Sequence, residues 1–179
     1  MKKLALLILL MMIFQSSVFS RPVVFNDDGK FGLKDENGNI VVKAEYKKLI
    51  RLGESGWIIQ KGSKFGIMND EGKILVEPKY NRADRVLGKF AKLTKGEKNG
   101  LFDEKGFVIL PPEYSSIDLL FGGMFLTCKN YKYGVTDFNG QPILDNIFDD
   151  IYMPKPNVMI ITYNGQQLSL IHISEPTRH

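Results

Sequence analysis

The chain has 179 residues, enough for one ordinary domain, with 24 basic and 20 acidic side chains and a formal net charge of +4. One cysteine, Cys128, leaves no internal disulfide, and the only two histidines, His172 and His179, stand at the C-terminal end, so the rest of the chain has no Ser–His or Cys–His dyad and no histidine-bearing metal site. Lys2 and Lys3 supply two of the net charges and Arg178 cancels Glu175, so the remaining excess of positive charge is too mild to support nucleic acid as a partner.

Met1–Ser20 opens with Lys2 and Lys3, continues through 11 apolar residues from Leu4 to Phe14, and ends with Val18 and Ser20 at small-residue positions. That is the pattern of a secretory signal peptide. A spanning helix needs about 20 apolar residues, so cleavage is expected to leave no membrane span. The expected location is outside the cytoplasm: periplasm, cell surface or extracellular space.

From residue 21 the chain is periodic. Gly32, Gly66, Gly100 and Gly134 stand 34 residues apart, and Gly38, Gly72, Gly106 and Gly140 keep the same step, as do Tyr46, Tyr80, Tyr114 and Phe148. Three columns in register over four copies mean a tandem repeat. The divisions are a partial unit at 21–29, full units at 30–63, 64–97, 98–131 and 132–165, and the start of a fifth. In the partial unit, Val23-Val24-Phe25 reads as a strand that gives the first full unit an edge to pair with.

Within each unit the first strand alternates, as in Phe31-Gly32-Leu33. An Asp/Asn-x-x-Gly turn follows, with glycine expected at positive φ. The returning strand carries three consecutive apolar residues, such as Ile74-Leu75-Val76, which implies cover on both faces. Pro78 and Pro112 are expected to end that strand, and the aromatic column to pack back as a buried plug. A third strand closes each unit, as in Trp57-Ile58-Ile59-Gln60. The reading is an all-β chain, each unit a hairpin plus a third strand, stacked as a curved or superhelical array. A partial β-propeller is the alternative; it calls for four strands and about 40–45 residues per unit.

Lys30-Phe31-Gly32, Lys64-Phe65-Gly66 and Lys132-Tyr133-Gly134, with the Asp/Asn-x-x-Gly turns and the apolar-x-Pro-x-Tyr stretches behind them, resemble the WG (KWG) repeat of bacterial exported proteins. The resemblance runs from Val23 to Gln167. It departs from the pattern in having no tryptophan before the glycine, and Asn99 replaces the aromatic in the third unit. It implies a β-rich repeat array and attaches no catalytic residues.

Past Gln167 the period breaks: a glycine is due at 168 and Leu168 stands there. Leu168–Arg178 is similar to the translation of a transposase-type sequencing adaptor. Residues 168–179 are therefore expected to be a non-native tail with few native-like contacts.

No residue set points to catalysis. Ser55, in Gly53-Glu54-Ser55-Gly56, lacks the spacing of a nucleophile elbow. Glu113, Asp118, Asp149 and Asp150 could form a carboxylate pair by count, but Glu113, Asp149 and Asp150 occupy turn positions beside the aromatic column. The Asp-x-x-Gly turns lack the further oxygen ligands of a calcium loop. Cys128 and Trp57 read as core residues of third strands. No metal site and no cofactor is expected.

One column carries a functional hypothesis. Lys30, Lys64, Lys98 and Lys132 open the units, and Lys61, Lys95 and Lys129 end three of the third strands. Stacking would set them in ladders suited to an anionic cell-envelope polysaccharide. The same lysines also read as solvated edge residues that block unwanted strand pairing. The functional expectation is an exported, non-enzymatic module that binds or scaffolds a protein or an envelope polymer. The alternative is that these are the targeting repeats of a larger envelope enzyme.

Overall fold

The computed structural model describes residues 21–156 and 158–171. The expected signal peptide and both histidines lie outside them. No helix among the described residues is long and apolar enough to cross a membrane.

Among the described residues, eighteen strands form five antiparallel sheets, each an up-and-down meander. The first sheet holds β1 (Val23–Asp27), β2 (Lys30–Lys34) and β3 (Ile40–Tyr46). The second holds β4 (Lys48–Leu52), β5 (Gly56–Lys61), β6 (Lys64–Asn69) and β7 (Ile74–Tyr80). The third holds β8 (Arg82–Val86), β9 (Phe90–Lys95), β10 (Lys98–Asp103) and β11 (Val108–Tyr114). The fourth holds β12 (Ser116–Leu120), β13 (Met124–Lys129), β14 (Lys132–Asp137) and β15 (Pro142–Phe148). The fifth holds β16 (Asp150–Lys155), β17 (Val158–Tyr163) and β18 (Gln166–Ile171).

This corrects the three-stranded unit. Directly after each aromatic of the column, a short strand (β4, β8, β12 or β16) pairs antiparallel with the strand that follows it. The inner sheets thus have the four strands of the propeller alternative, fitted into a 34-residue step. Each one also straddles two sequence units, taking its first two strands from one copy and its last two from the next.

Consecutive sheets pack face to face, with β2 against β4, β3 against β5, and so on along the chain. Four cores result, one per pair of sheets. Leu33, Val42 and Tyr46 meet Trp57, Ile59 and Met68 between the first two. Ile67, Val76 and Tyr80 meet Ala91, Leu93 and Phe102 in the next. Phe90, Leu101 and Leu110 meet Ile117 and Phe125 in the third, and Val135 meets Ile151, Met159 and Ile161 in the last. The apolar run of β7 is explained by this stacking: Ile74 packs into the core before its sheet, Leu75 and Val76 into the core after it.

The turns are as expected. Gly38, Gly72, Gly106 and Gly140 have φ between +80° and +83°, and each donates its N–H to the carbonyl of the Asp or Asn three residues earlier. Tyr46 and Tyr80 are buried, while Tyr114 and Phe148 are half-buried in their cores. The proline expectation is corrected. Pro78 and Pro112 lie inside β7 and β11, where the register with the partner strand slips between Phe65/Ile67 and between Asn99/Leu101. A proline is tolerated there because a bulge leaves its position out of the ladder. Gly66 faces that bulge: a Cβ on it would stand 2.3 Å from the Val76 carbonyl oxygen.

The tail differs too. β18 continues past Gln167, pairing Leu168 with Ile161 and Ile171 with Val158. Residues 168–171 thus make the contacts they were expected to lack. Ladder hydrogen bonds are main-chain bonds, so the free edge of β17 accepts any extended segment that reaches it. Residues 172–179 lie outside the described range.

Candidate functional site

The lysine columns meet at hairpin tips. Lys61 pairs with Lys64, Lys95 with Lys98 and Lys129 with Lys132, each across a two-residue tip. Lys30 pairs with Asp27 across the tip of the first hairpin. These tips follow one another along one side of the stack. Tyr46, the register partner of Phe31, has the Lys61 ammonium 5.8 Å from its ring. Gly96 donates its N–H to Asn81 beyond the end of β7, and Gly165 donates to Asp149 beyond the end of β15. The second to fifth tips therefore each reach over the end of the preceding sheet.

Charge along this edge is uneven. Lys61 pairs with Glu45 at 3.1 Å, Lys129 with Glu113 at 2.6 Å and Lys132 with Asp149 at 2.5 Å. Glu113, by its hydrogen bond, raises the Lys129 ammonium above the ordinary lysine value. The Lys132 hydrogen bond, with a smaller contribution from the Gly165 N–H, holds Asp149 below the ordinary carboxylate value. The second copy breaks the pattern. The place of Glu45 and Glu113 is taken by Lys79, 34 residues from each, whose ammonium lies 5.9 Å from the Tyr80 ring. Lys95 thus has a lysine where Lys61 and Lys129 have acids.

Of the four lysines expected to act, Lys132 is neutralised by Asp149. Lys30, Lys64 and Lys98 have no ion pair among the described residues, nor do Lys79 and Lys95. The sequence reading passed over Lys79; the sign change in the column Glu45, Lys79, Glu113 was the available signal.

The other candidates separate. Glu113 and Asp149 are each held by a lysine, and Asp150 accepts the N–H of Ile151. No group of three or more His, Cys, Asp or Glu side chains is placed to hold a metal among the described residues. In the Asp-x-x-Gly turns the carboxylates accept backbone N–H groups, as Asp103 does from Lys105 and Phe107. Cys128 is buried in β13. Trp57 is 5% exposed and donates its indole N–H to Asp70 at 2.7 Å, with Arg51 stacked over the ring and bonded to the same carboxylate. It anchors a core, and its ring is closed to a sugar. On the side opposite the tips lies a shallow cleft of about 520 Å³, lined by Glu54, Lys89, Phe90, Glu104 and Phe138 among others. Its carboxylate Glu104 is occupied by the Glu54 N–H at 2.5 Å.

Tyr46 links this edge to stability. It is 4% exposed, and burial, with the charge of Glu45 second, pushes its hydroxyl up to about 12. The unfolded chain ionises near 10, so the contribution is whole below that and is lost as pH rises through 12. Raising pH from 10 to 12 should therefore remove about 2 kcal/mol of stability through Tyr46. Tyr46→Phe should abolish that share and leave those of Tyr80 and Tyr114, whose hydroxyls burial also raises; an unchanged alkaline transition in urea denaturation would contradict the assignment.

Consecutively packed four-stranded meanders, each straddling a 34-residue sequence step, define a tandem β-repeat protein. The WG containing repeat matches residues 31–59, 65–98 and 100–133, together more than half of the chain, and the chain belongs to that family. Among solved structures, it is similar to PorZ, an essential bacterial surface component of the type-IX secretion system of Porphyromonas gingivalis, at 12% identity and a TM-score of 0.38, over 87% of this chain and 26% of that one. The chain thus spans about a quarter of that protein's length. No curated protein matches it.

Proposed function

We propose that the chain is an exported, non-enzymatic binding module that holds an anionic cell-envelope polysaccharide along its hairpin-tip edge. The observation that carries this reading is the charge imbalance at the middle tips. Lys61, Lys129 and Lys132 are each matched by an acid, whereas Lys64, Lys79, Lys95 and Lys98 have none among the described residues. Lysines needed only for solubility or edge protection would serve equally well paired. Glu97 in the third tip offsets one of these charges, which leaves the edge moderately rather than strongly basic. The signal-peptide pattern of Met1–Ser20 supports export.

Exposed charges are screened beyond about 8 Å at physiological ionic strength, so binding should fall steeply with salt. A weak repeated site gains from a ligand that spans several copies, so a polymer should bind where its monomer does not. Titration of the chain from Arg21 onward with alginate, a polyuronate, should show binding at low salt. Replacing Lys64, Lys95 and Lys98 together by alanine should remove most of it, while replacing the acid-paired Lys129 and Lys132 should remove much less. No binding at low salt, or equal losses in the two variants, would overturn the proposal.

A further inference from the structure

The fourth tip, Asn130-Tyr131, is unlike the others. The remaining tips are Asp28-Gly29, Gly62-Ser63, Gly96-Glu97 and Asn164-Gly165, and every one contains glycine. In the first, fourth and fifth tips both residues are left-handed: Asp28 and Gly29 at φ 48° and 74°, Asn130 and Tyr131 at 52° and 61°, Asn164 and Gly165 at 50° and 73°. Asp and Asn tolerate the first place. The second place is glycine in two of the three, and in the third it is tyrosine. A bulky aromatic at positive φ is a genuine outlier.

The same side chain is 94% exposed. It contributes almost nothing to any core, so packing gives no return for the strain. The tip beneath it is fastened on both sides: Lys129 is bonded to Glu113 and Lys132 to Asp149. The backbone under Tyr131 is therefore held, and its ring is presented from a fixed base. The preceding tip, one sheet back, carries the unpaired Lys95 and Lys98. Stacked sheets lie about 10 Å apart, so ring and ammonium groups sit within reach of one extended chain.

We infer that Tyr131 is a stacking platform that takes the apolar face of a sugar ring while the neighbouring lysines hold its acidic groups, making the ligand a polyuronate-type polysaccharide rather than any polyanion. This rests on the lysine-edge reading above. A ring offers an apolar face together with a polar hydroxyl, and a tyrosine on a held backbone has only two side-chain torsions to fix on binding.

The test uses Tyr131→Gly and Tyr131→Phe in the chain from Arg21 onward, with alginate and inorganic polyphosphate as probes. Polyphosphate matches the charge but has no apolar face. Tyr131→Gly relieves the left-handed strain, so its melting temperature should rise by a few degrees. Its affinity for alginate should nevertheless fall about five- to tenfold, the scale of losing an aromatic anchor, with polyphosphate binding unchanged. Tyr131→Phe should bind alginate like the parent. A more stable glycine variant that binds alginate equally well would overturn the platform and leave the lysine edge standing. Equal losses for both polymers would overturn it too, as would a parent chain that binds polyphosphate but not alginate. A parent that binds neither would overturn the lysine edge and the platform together.

Discussion

Tyr80→Ala is expected to cost about 3–5 kcal/mol, the usual scale for deleting a well-packed buried aromatic. Tyr80 is 4% exposed and sits at the end of β7, where its ring meets Phe102 of the next sheet edge to face at 5.6 Å. Truncation would open a cavity between the second and third sheets, with Ala91 and Leu93 on its far wall. The flanking strands are fixed by their own ladders and can collapse only partly. In a chain held together sheet to sheet, that loss is a large share of the total stability. Denaturant unfolding would measure it; a loss below about 1 kcal/mol would mean that the second and third sheets are not joined through this contact.

Gly140→Ala should be the next largest loss, and Gly38→Ala is its control. Both glycines close the same turn, at φ +81° and +83°. Alanine in that conformation costs about 1–2 kcal/mol at either place. Their surroundings differ. Nothing lies within 4 Å of a Cβ built on Gly38, in the first sheet, whereas a Cβ on Gly140 would stand 2.1 Å from the Ile109 carbonyl oxygen of the preceding sheet. Overpacking adds about 1–3 kcal/mol at Gly140 alone. The difference between the two variants therefore reads the contact between consecutive sheets directly, with turn strain cancelled. Equal losses would contradict the stacking.

Much of this was legible in the residues. The 34-residue period, the glycine turns and the need for cover on both faces all follow from side-chain spacing, and each has its counterpart in the cores described above. The missed strands β4, β8, β12 and β16 had a physical reason to be missed. Arg82-Ala83-Asp84-Arg85-Val86 and Ser116-Ile117-Asp118-Leu119-Leu120 mix charged and apolar residues without clean alternation. They lie at the margin of their sheets, where one flank is unpaired and pattern is weakly enforced. Without them the sequence unit and the sheet look alike, although the sheet begins just after the aromatic column. Pro78 misled for a related cause: proline usually stops a ladder, but a bulge opposite Gly66 makes room for it. At the candidate site, the lysine columns were visible, but their pairing was not. Glu45 with Lys61 and Glu113 with Lys129 keep one 16-residue spacing inside their units, but that spacing becomes a contact only because each sheet straddles two units, which the missed fourth strand concealed. Tyr131 was hidden because left-handed backbone at a tip is ordinary for Asp, Asn and Gly and gives no sign when tyrosine adopts it.

The functional claim is that ligand is held at the hairpin tips and not in the cleft on the far side of the stack. Mapping backbone amide shifts of the ¹⁵N-labelled chain from Arg21 onward during an alginate titration at low salt tests this most directly. Perturbed amides should concentrate at residues 61–64, 95–98 and 129–132 and fade as salt is added. Shifts confined to the cleft around Glu54, Lys89 and Glu104, or the absence of any localised shift at low salt, would contradict it.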